Sequence, residues 1–159
     1  MKIYIIGCTG SGKTTFAKHL SKRYNIPYYE LDNVVFDDVN HRKRTESEIK
    51  ELFDNILKED SWIIEDVGRK IFEKGREESD QIYFLKLKKS ELYFRVIRRY
   101  IRQVTNKEPY NYKPTLKGLK QMLSWTKNYD TEGKLKELET YKEQVKIIKK
   151  KEIRKDEKE

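Results

Sequence analysis

The chain has 159 residues and a formal net charge of +9, with 40% of its residues charged and 12% aromatic. This composition supports one folded domain, and the single cysteine excludes a disulfide framework or a multi-cysteine zinc site. No apolar run approaches the roughly 18 residues of a membrane span, so we expect a cytoplasmic protein without a membrane partner.

A phosphate-binding motif follows the first predicted strand, Ile3 to Ile6. Residues 7–14 read Gly-Cys-Thr-Gly-Ser-Gly-Lys-Thr, which matches the Walker A pattern G-x-x-x-x-G-K-[ST], and a helix is predicted over 13–24. In such a P-loop, backbone N–H groups cradle phosphate oxygens and the helix N-terminus adds positive potential. The motif predicts that the chain binds ATP together with the cofactor Mg²⁺.

Two positions of this phosphate loop have a specific expected role. Lys13 would bridge the β- and γ-phosphates, and Thr14 would supply a hydroxyl ligand to Mg²⁺. The predicted nucleotide-binding residues are Cys8, Thr9, Gly10, Ser11, Gly12, Lys13, Thr14 and Thr15.

Candidate carboxylates follow the next two predicted strands. The second strand, over 28–31, is followed by Asp32, which either accepts a hydroxyl proton or binds the substrate, or only caps the next turn. The third strand, over 62–64, is followed by Glu65 and Asp66 at the edge where parallel sheets bind ligands. One of these two is expected to hold Mg²⁺ through water, and the alternative is a solvated turn carboxylate.

The segment between these two strands carries no motif that identifies an acceptor. Within it, His41 and Arg42 fit a loop surface better than an acceptor pocket. Thr45 and Glu48 match a capping box, and the apolar spacing that follows predicts a helix up to residue 57.

An arginine-rich helix is predicted over 90–104, after a fourth strand at 82–85. Its arginines recur at i, i+3, i+4 and i+7, which places them on one helical stripe. They are Arg95, Arg98, Arg99 and Arg102. We expect two of the four to contact nucleotide phosphates, next to a lid over about 103–114. A separate apolar stripe of this helix is expected to pack on the sheet, and its members are Tyr93, Ile97, Ile101 and Val104.

The remaining elements complete one α/β domain over residues 1–149. Helices are predicted over 115–128 and 131–143 and a strand over 145–148, before a charged tail at 150–159. Trp62 and Trp125 are expected in the core. Strands that alternate with helices favour a three-layer fold with a parallel sheet of about five strands.

The sequence resembles the adenylate-kinase-like small-molecule kinases and, within them, the DNA topology modulation proteins (the FlaR-like group). The resemblance rests on the phosphate loop, the Leu31-Asp32 pair and residues 62–69, 94–99 and 123–129. It implies a P-loop NTPase fold with strand order 2-3-1-4-5. It also implies that Asp32 lies on the acceptor side and that Arg69 clamps the acceptor or its phosphate.

The sequence therefore predicts a P-loop kinase, a phosphotransferase that uses Mg-ATP and a small-molecule acceptor such as a nucleoside or nucleotide. The chain lacks the N-K-x-D motif of guanine-nucleotide switches. The predicted catalytic residues are Lys13, Asp32, Arg69 and the four arginines of the stripe. We expect a monomer or a homodimer.

The alternative function is an ATP-binding protein associated with DNA. Residues 1–80 carry a net charge of −2 and residues 81–159 one of +11, so the basic excess belongs to the second half. Nucleic acid is not the favoured partner, because the arginine stripe can be assigned to nucleotide phosphates.

Overall fold

The chain alternates short apolar strands with helices, as its sequence pattern predicts. The computed structural model describes residues 1–37, 39, 42–108, 110 and 113–149. His41, part of the predicted lid and the predicted tail at 150–159 lie outside the described residues.

A parallel sheet forms the centre of the structure. The strands are β1 (Lys2–Gly7), β2 (Tyr28–Glu30), β3 (Phe36–Asp37), β4 (Arg42–Lys43), β5 (Trp62–Asp66), β6 (Gln81–Leu85) and β7 (Val145–Ile148). β3 and β4 pair as a separate antiparallel hairpin, and the other five strands form the sheet in the order β2-β5-β1-β6-β7. This order is 2-3-1-4-5 when only strands of the sheet are counted, so the predicted fold and strand order are confirmed.

Helices connect and cover the strands. They are α1 (Lys13–Tyr24), α2 (Leu31–Val35), α3 (Glu46–Leu57), α4 (Glu73–Glu77), α5 (Lys89–Val104), α6 (Leu116–Asn128) and α7 (Thr131–Glu137). Short 3₁₀ helices lie at Lys70–Phe72, before α4, and at Leu138–Tyr141, after α7. The segment predicted as one helix over 131–143 is therefore an α-helix to Glu137 that continues as a 3₁₀ helix to Tyr141. The predicted capping box is present, because the Thr45 hydroxyl accepts from the Glu48 N–H and the Glu48 carboxylate accepts from the Thr45 N–H. In the described ranges no helix has the length and apolar character to cross a membrane.

The sheet divides the core into two layers, since successive strand side chains point to opposite faces. On one face the residues of β1, β5 and β6 pack against α2 and α3, with Tyr4 and Ile64 at the centre. On the other face Ile5 and Ile63 pack against α1 and the start of α5.

Helix α5 turns a different face inward from the one that its apolar pattern indicated. The residues that it buries are Leu92, Val96 and Gln103. Three members of the predicted apolar stripe are exposed, namely Ile97, Ile101 and Val104. The prediction that this stripe packs on the sheet is therefore wrong. The physical reason is that the phosphate loop lies against α5, where a Cβ added to Gly10 would be 3.0 Å from Val96 Cγ2.

One further expectation for the second half needs correction. Trp62 is fully buried as predicted, but Trp125 is 52% exposed. Helix α6 buries Thr126 instead, and Trp125, the residue before it, consequently faces solvent. The predicted end of the arginine-rich helix at residue 104 is confirmed, and the lid over about 103–114 stays a prediction.

The close contact of α4 with the sheet generates a stability prediction. A Cβ added to Gly75 would lie 2.8 Å from Tyr4 Cε2 and 2.9 Å from Phe53 Cζ, both of which belong to buried rings. We expect Gly75→Ala to lower the free energy of unfolding by about 1–3 kcal/mol, because the well-packed core must shift to accommodate the methyl group. Urea denaturation measures this change.

Gly118→Ala is the matched control, because it is also a helical glycine. A Cβ there would lie 3.3 Å from the Thr115 hydroxyl, the end of a short side chain at the start of α6. The gain in helix propensity, at most about 1 kcal/mol, should leave this variant as stable as the wild type or more stable. Equal losses in both variants would contradict the proposed packing of α4.

Candidate active site

The carboxyl edge of the sheet brings together residues that are distant in sequence. Strand register places Glu65 between Ile5 of β1 and Glu30 of β2. The phosphate loop follows β1 at this edge, and Asp32 follows β2 there. Because open parallel sheets bind ligands at this edge, the fold collects the loop and the candidate carboxylates in one site.

Two glycines give the phosphate loop its shape. Gly10 and Gly12 have φ angles of +79° and +98°, a left-handed conformation that other residues rarely adopt. Between them, the Ser11 N–H donates to the Cys8 carbonyl oxygen at 3.1 Å. A Cβ on Gly12 would lie 3.2 Å from Arg95 Nη1, so glycine also permits the close approach of α5.

A buried carboxylate contacts both polar side chains at the end of the loop. The Thr14 hydroxyl donates to Glu65 Oε1 at 2.5 Å, and Lys13 Nζ lies 3.8 Å from Glu65 Oε2. Lys13 also donates to the Cys8 carbonyl oxygen at 3.1 Å. The side chains of Lys13 and Glu65 are 10% and 7% exposed, so solvent ions screen their attraction only weakly.

The electrostatic balance at Glu65 bears on metal binding. Burial raises the pKa of Glu65, while the Lys13 ammonium and the Thr14 hydrogen bond oppose that increase. A carboxylate beside a hydroxyl offers the hard oxygen donors that Mg²⁺ prefers. Among the described residues, no cluster of three or more His, Cys, Asp or Glu could hold a metal ion. The Glu65 carboxylate and the Thr14 hydroxyl thus fit a magnesium ion by the chemistry of their oxygen donors.

Asp66 organises the turn that follows β5. Its carboxylate accepts hydrogen bonds from the backbone N–H groups of Gly68 at 2.8 Å and of Arg69 at 2.5 Å, and it pairs with the Arg69 guanidinium. The other end of that guanidinium donates to Asp32 Oδ1 at 2.5 Å. Burial lowers the pKa of Arg69, but Asp66 and Asp32 outweigh burial and raise it overall.

Two further side chains donate hydrogen bonds to backbone carbonyl oxygens of the same turn. Arg76 is 4% exposed, and its guanidinium donates to the Arg69 carbonyl oxygen at 3.1 Å. The Tyr129 hydroxyl donates to the Val67 carbonyl oxygen at 3.0 Å. Sequence reasoning missed the role of Arg76, because nothing in the local pattern distinguishes it from a surface charge.

The arginine stripe begins at the phosphate loop and continues into solvent. Arg95 Nη1 donates to the Ser11 carbonyl oxygen at 3.0 Å. Arg98 and Arg99 are exposed, and Arg102 forms an ion pair of 3.1 Å with Glu108. Among the residues that the structure describes, Arg95 is therefore the stripe member that hydrogen-bonds to the phosphate loop.

The remaining predicted nucleotide-binding residues differ in environment. Cys8 is 3% exposed, and burial raises the pKa of its thiol, which disfavours the reactive thiolate. Thr9 lies half-buried in the turn of the loop, whereas Thr15 is exposed on α1.

A depression beside Arg69 was not predicted from the sequence. It has a volume of about 350 Å³, and its wall includes Lys43 and Arg44. Arg44 donates to the carbonyl oxygens of Asn33 at 2.6 Å and Phe36 at 2.8 Å, which fixes it between α2 and the β3–β4 hairpin. Such contacts depend on the tertiary fold, and residues 33–45 contain no pattern that signals them.

Comparison with known proteins identifies a family model and several similar proteins. A model of the AAA domain family matches residues 3–109. Adenylate kinase from Caldicellulosiruptor saccharolyticus is 30% identical over 74 residues, which are 46% of this chain and 34% of that protein. Adenylate kinase from Caldicellulosiruptor bescii is 32% identical over 66 residues, 41% of this chain and 31% of that protein. The chain thus aligns with about a third of the length of these relatives.

A solved structure is similar over nearly the whole chain. The gluconokinase from Sinorhizobium meliloti 1021 superposes with a TM-score of 0.57 at 15% sequence identity. The match covers 98% of this chain and 88% of that protein. At this identity the likeness supports the fold.

The buried position of Glu65 predicts a pH-dependent effect on stability. Because its pKa is raised in the folded protein, the folded state keeps this proton to higher pH than the unfolded chain does. Stability due to Glu65 should therefore decrease as pH rises above the ordinary glutamate pKa of about 4.3. Glu65→Gln does not titrate there, so its free energy of unfolding should increase relative to the wild type as the pH rises above about 4.

Urea denaturation across this pH range measures the difference. Glu51→Gln, at an exposed position of α3, is the matched control and should show no such trend. A stability difference for Glu65→Gln that stays constant or decreases with pH would contradict the desolvation of Glu65.

Proposed function

The chain belongs to the AAA domain family, and we propose that it is a kinase that transfers the γ-phosphoryl group of Mg-ATP to a small-molecule acceptor. The observation that carries this proposal is the convergence of Lys13 and Thr14 of the phosphate loop on the buried Glu65. Phosphoryl transfer needs positioning and charge neutralisation more than covalent chemistry, and this site offers both.

We assign the ATP-binding side of the reaction to the phosphate loop. Its backbone N–H groups and the N-terminus of α1 would cradle the phosphates, and Lys13 would leave the Cys8 carbonyl to contact the β- and γ-phosphates. Thr14 would hold Mg²⁺, with Glu65 accepting from a metal-bound water. When bound, Mg²⁺ supplies neutralisation of phosphate charge. Asp66 is the weaker candidate for the metal, because three hydrogen bonds already occupy its carboxylate.

We assign the acceptor side to Asp32 and Arg69. Asp32 would accept the proton of the attacking hydroxyl, and Arg69 would bind the acceptor. Arg95 is the first of the stripe arginines expected to contact a phosphate, because it already lies against the loop. Arg98, Arg99 and Arg102 stay predictions as further contacts of a closed lid.

The names of the similar proteins support the reaction class. Adenylate kinase and gluconokinase are kinases of small molecules, and the first favours a nucleoside or nucleotide as one acceptor class to test. Membership of the DNA topology modulation group stays a prediction from the sequence resemblance, and so do a cytoplasmic location and a monomeric or homodimeric state.

The alternative of a DNA-associated ATP-binding protein rests on the basic second half of the chain, with its net charge of +11. Binding to DNA backbone phosphates should weaken steeply with salt. Filter binding at two salt concentrations tests it, and tight DNA binding without acceptor phosphorylation would favour this alternative over the kinase.

The kinase proposal predicts that Lys13→Ala weakens ATP binding by at least about tenfold, since a charge-assisted hydrogen bond to phosphate is lost. Acceptor-dependent ADP release should fall with it. Fluorescent-nucleotide titration measures binding, and ADP release is followed with panels of nucleosides, nucleotides and small hydroxy compounds. Lys22→Ala, an exposed lysine in the last turn of the same helix, is the matched control and should behave as the wild type.

Two results would contradict the proposal. One is the absence of acceptor-dependent ADP release with every compound in the panels. The other is ATP binding that Lys13→Ala leaves unchanged.

A further inference from the structure

The junction between α6 and α7 (residues 126–134) lies at the carboxyl edge of the sheet. Within it, Tyr129 packs against both core clusters, which the sheet separates from each other. A side chain that contacts both must lie beyond an edge of the sheet, and its hydrogen bond to Val67, just after β5, identifies the carboxyl edge. The junction is therefore next to both the phosphate loop and the turn after β5.

One part of the junction contacts the phosphate loop. Thr126 is 0% exposed, and its hydroxyl donates to the Met122 carbonyl oxygen of the same helix at 2.9 Å. The same side chain is a hydrogen-bond partner of the Cys8 sulfur in the loop. Beside it, Lys89 Nζ at the start of α5 donates to the Lys127 carbonyl oxygen at 2.6 Å. A displacement of the loop or of α5 therefore acts directly on the end of α6.

Another part of the junction contacts the turn after β5. The Tyr129 hydroxyl donates to the Val67 carbonyl oxygen at 3.0 Å. Burial raises the pKa of Tyr129, so the hydroxyl keeps its proton and stays a donor. Farther along, Lys134 lies over Gly68, where an added Cβ would be 3.0 Å from Lys134 Cδ. Both contacts fall on the turn that carries Arg69.

ATP binding would change the loop end of this connection. The Lys13 ammonium donates to the Cys8 carbonyl oxygen at 3.1 Å, and in the proposed function it would leave that carbonyl for the phosphates. Cys8 would then lose one of the contacts that fix it, while the loop gains contacts to the phosphates. Because Cys8 also contacts Thr126, the change would reach the junction. Chains of packed side chains and hydrogen bonds of this kind carry energetic coupling between sites.

We propose that Tyr129 is a positioning residue that couples the two sides of the site: Mg-ATP on the loop strengthens the hydrogen bond from Tyr129 to Val67, and the turn then holds Arg69 in place for the acceptor. The inference rests on the proposed kinase function and adds an order of binding to it. The acceptor binds more tightly once Mg-ATP is bound, and by linkage it raises the affinity for ATP by the same factor.

Tyr129→Phe isolates this hydrogen bond, because it removes the hydroxyl and keeps the ring that packs on both clusters. Hydrogen exchange of the full chain, with and without Mg²⁺ and a non-hydrolysable ATP analogue, follows the amide groups of Gly68 and Arg69, which donate to Asp66. In the wild type the nucleotide should slow their exchange about two- to tenfold, the worth of one hydrogen bond. In Tyr129→Phe this slowing should be lost, while the affinity for the analogue stays within about twofold of the wild type.

Tyr29→Phe is the matched control. It also removes a hydroxyl hydrogen bond, to Glu59 at 2.6 Å, from a half-buried ring that packs on one of the same clusters. This variant should keep the slowing. Thr126→Val is a second test variant that cuts the connection at its loop end, so the slowing should be lost there too, and it decides the matter if Tyr129→Phe does not fold.

The coupling should also appear in the kinetics of any acceptor that the compound panels identify. Tyr129→Phe should raise the acceptor KM about two- to tenfold, with kcat and the KM for ATP close to the wild-type values. A merely structural role would instead lower the amount of folded enzyme and therefore the apparent kcat, with the acceptor KM unchanged.

The outcomes separate this inference from the kinase function. Slowing that persists in Tyr129→Phe, or that is absent from the wild type with the analogue bound, overturns the coupling and leaves the kinase function standing. An acceptor KM that Tyr129→Phe leaves unchanged overturns the positioning role. Absence of turnover with every acceptor overturns the kinase function and the binding order with it, whereas the exchange measurement still decides whether the loop and the turn are coupled.

Discussion

The hydrogen bond from the Thr14 hydroxyl to the buried Glu65 carboxylate is the contact on which the candidate site depends. It joins the start of α1 to the end of β5, two segments that are 51 residues apart in sequence. Burying a carboxylate costs free energy unless charges and hydrogen bonds compensate, and here Lys13 and Thr14 provide that compensation. The raised pKa of Glu65 indicates that the compensation is incomplete. Such residual cost is expected where a side chain serves binding rather than stability.

Strand geometry explains why the adjacent carboxylates of Glu65 and Asp66 lie on opposite faces of the sheet. Consecutive side chains of β5 point to opposite faces of the sheet. Glu65 lies on the face of Ile63, towards α1 and the phosphate loop, and Asp66 lies on the face of Ile64. In the proposed kinase, the end of one strand would therefore supply the nucleotide side through Glu65 and the acceptor side through Asp66 and Arg69. This division explains why the two carboxylates have different partners.

The sequence was sufficient to predict the sheet and the phosphate loop, because these depend on short apolar runs and on one specific motif. The capping box at Thr45 was predictable for the same reason, since its contacts are local. The strand order was implied by the resemblance to the adenylate-kinase-like kinases and is confirmed by the structure. Periodicity defined stripes on α5 but not which stripe faces inward, because that depends on the loop packed against Val96. Likewise the depression beside Arg69 depends on tertiary contacts, because it is lined by Lys43 of the β3–β4 hairpin together with residues of α2, α3 and the turn after β5, and no pattern in residues 33–45 indicated the pairing of that hairpin.

The most direct test of the central claim is the effect of Mg²⁺ on ATP affinity, measured by titration in the wild type, Glu65→Gln and Asp66→Asn. If Glu65 serves the metal beside Thr14, Mg²⁺ should strengthen ATP binding in the wild type and in Asp66→Asn, and this enhancement should be lost in Glu65→Gln. An enhancement that survives in Glu65→Gln and disappears in Asp66→Asn would contradict the account and would assign the metal to Asp66.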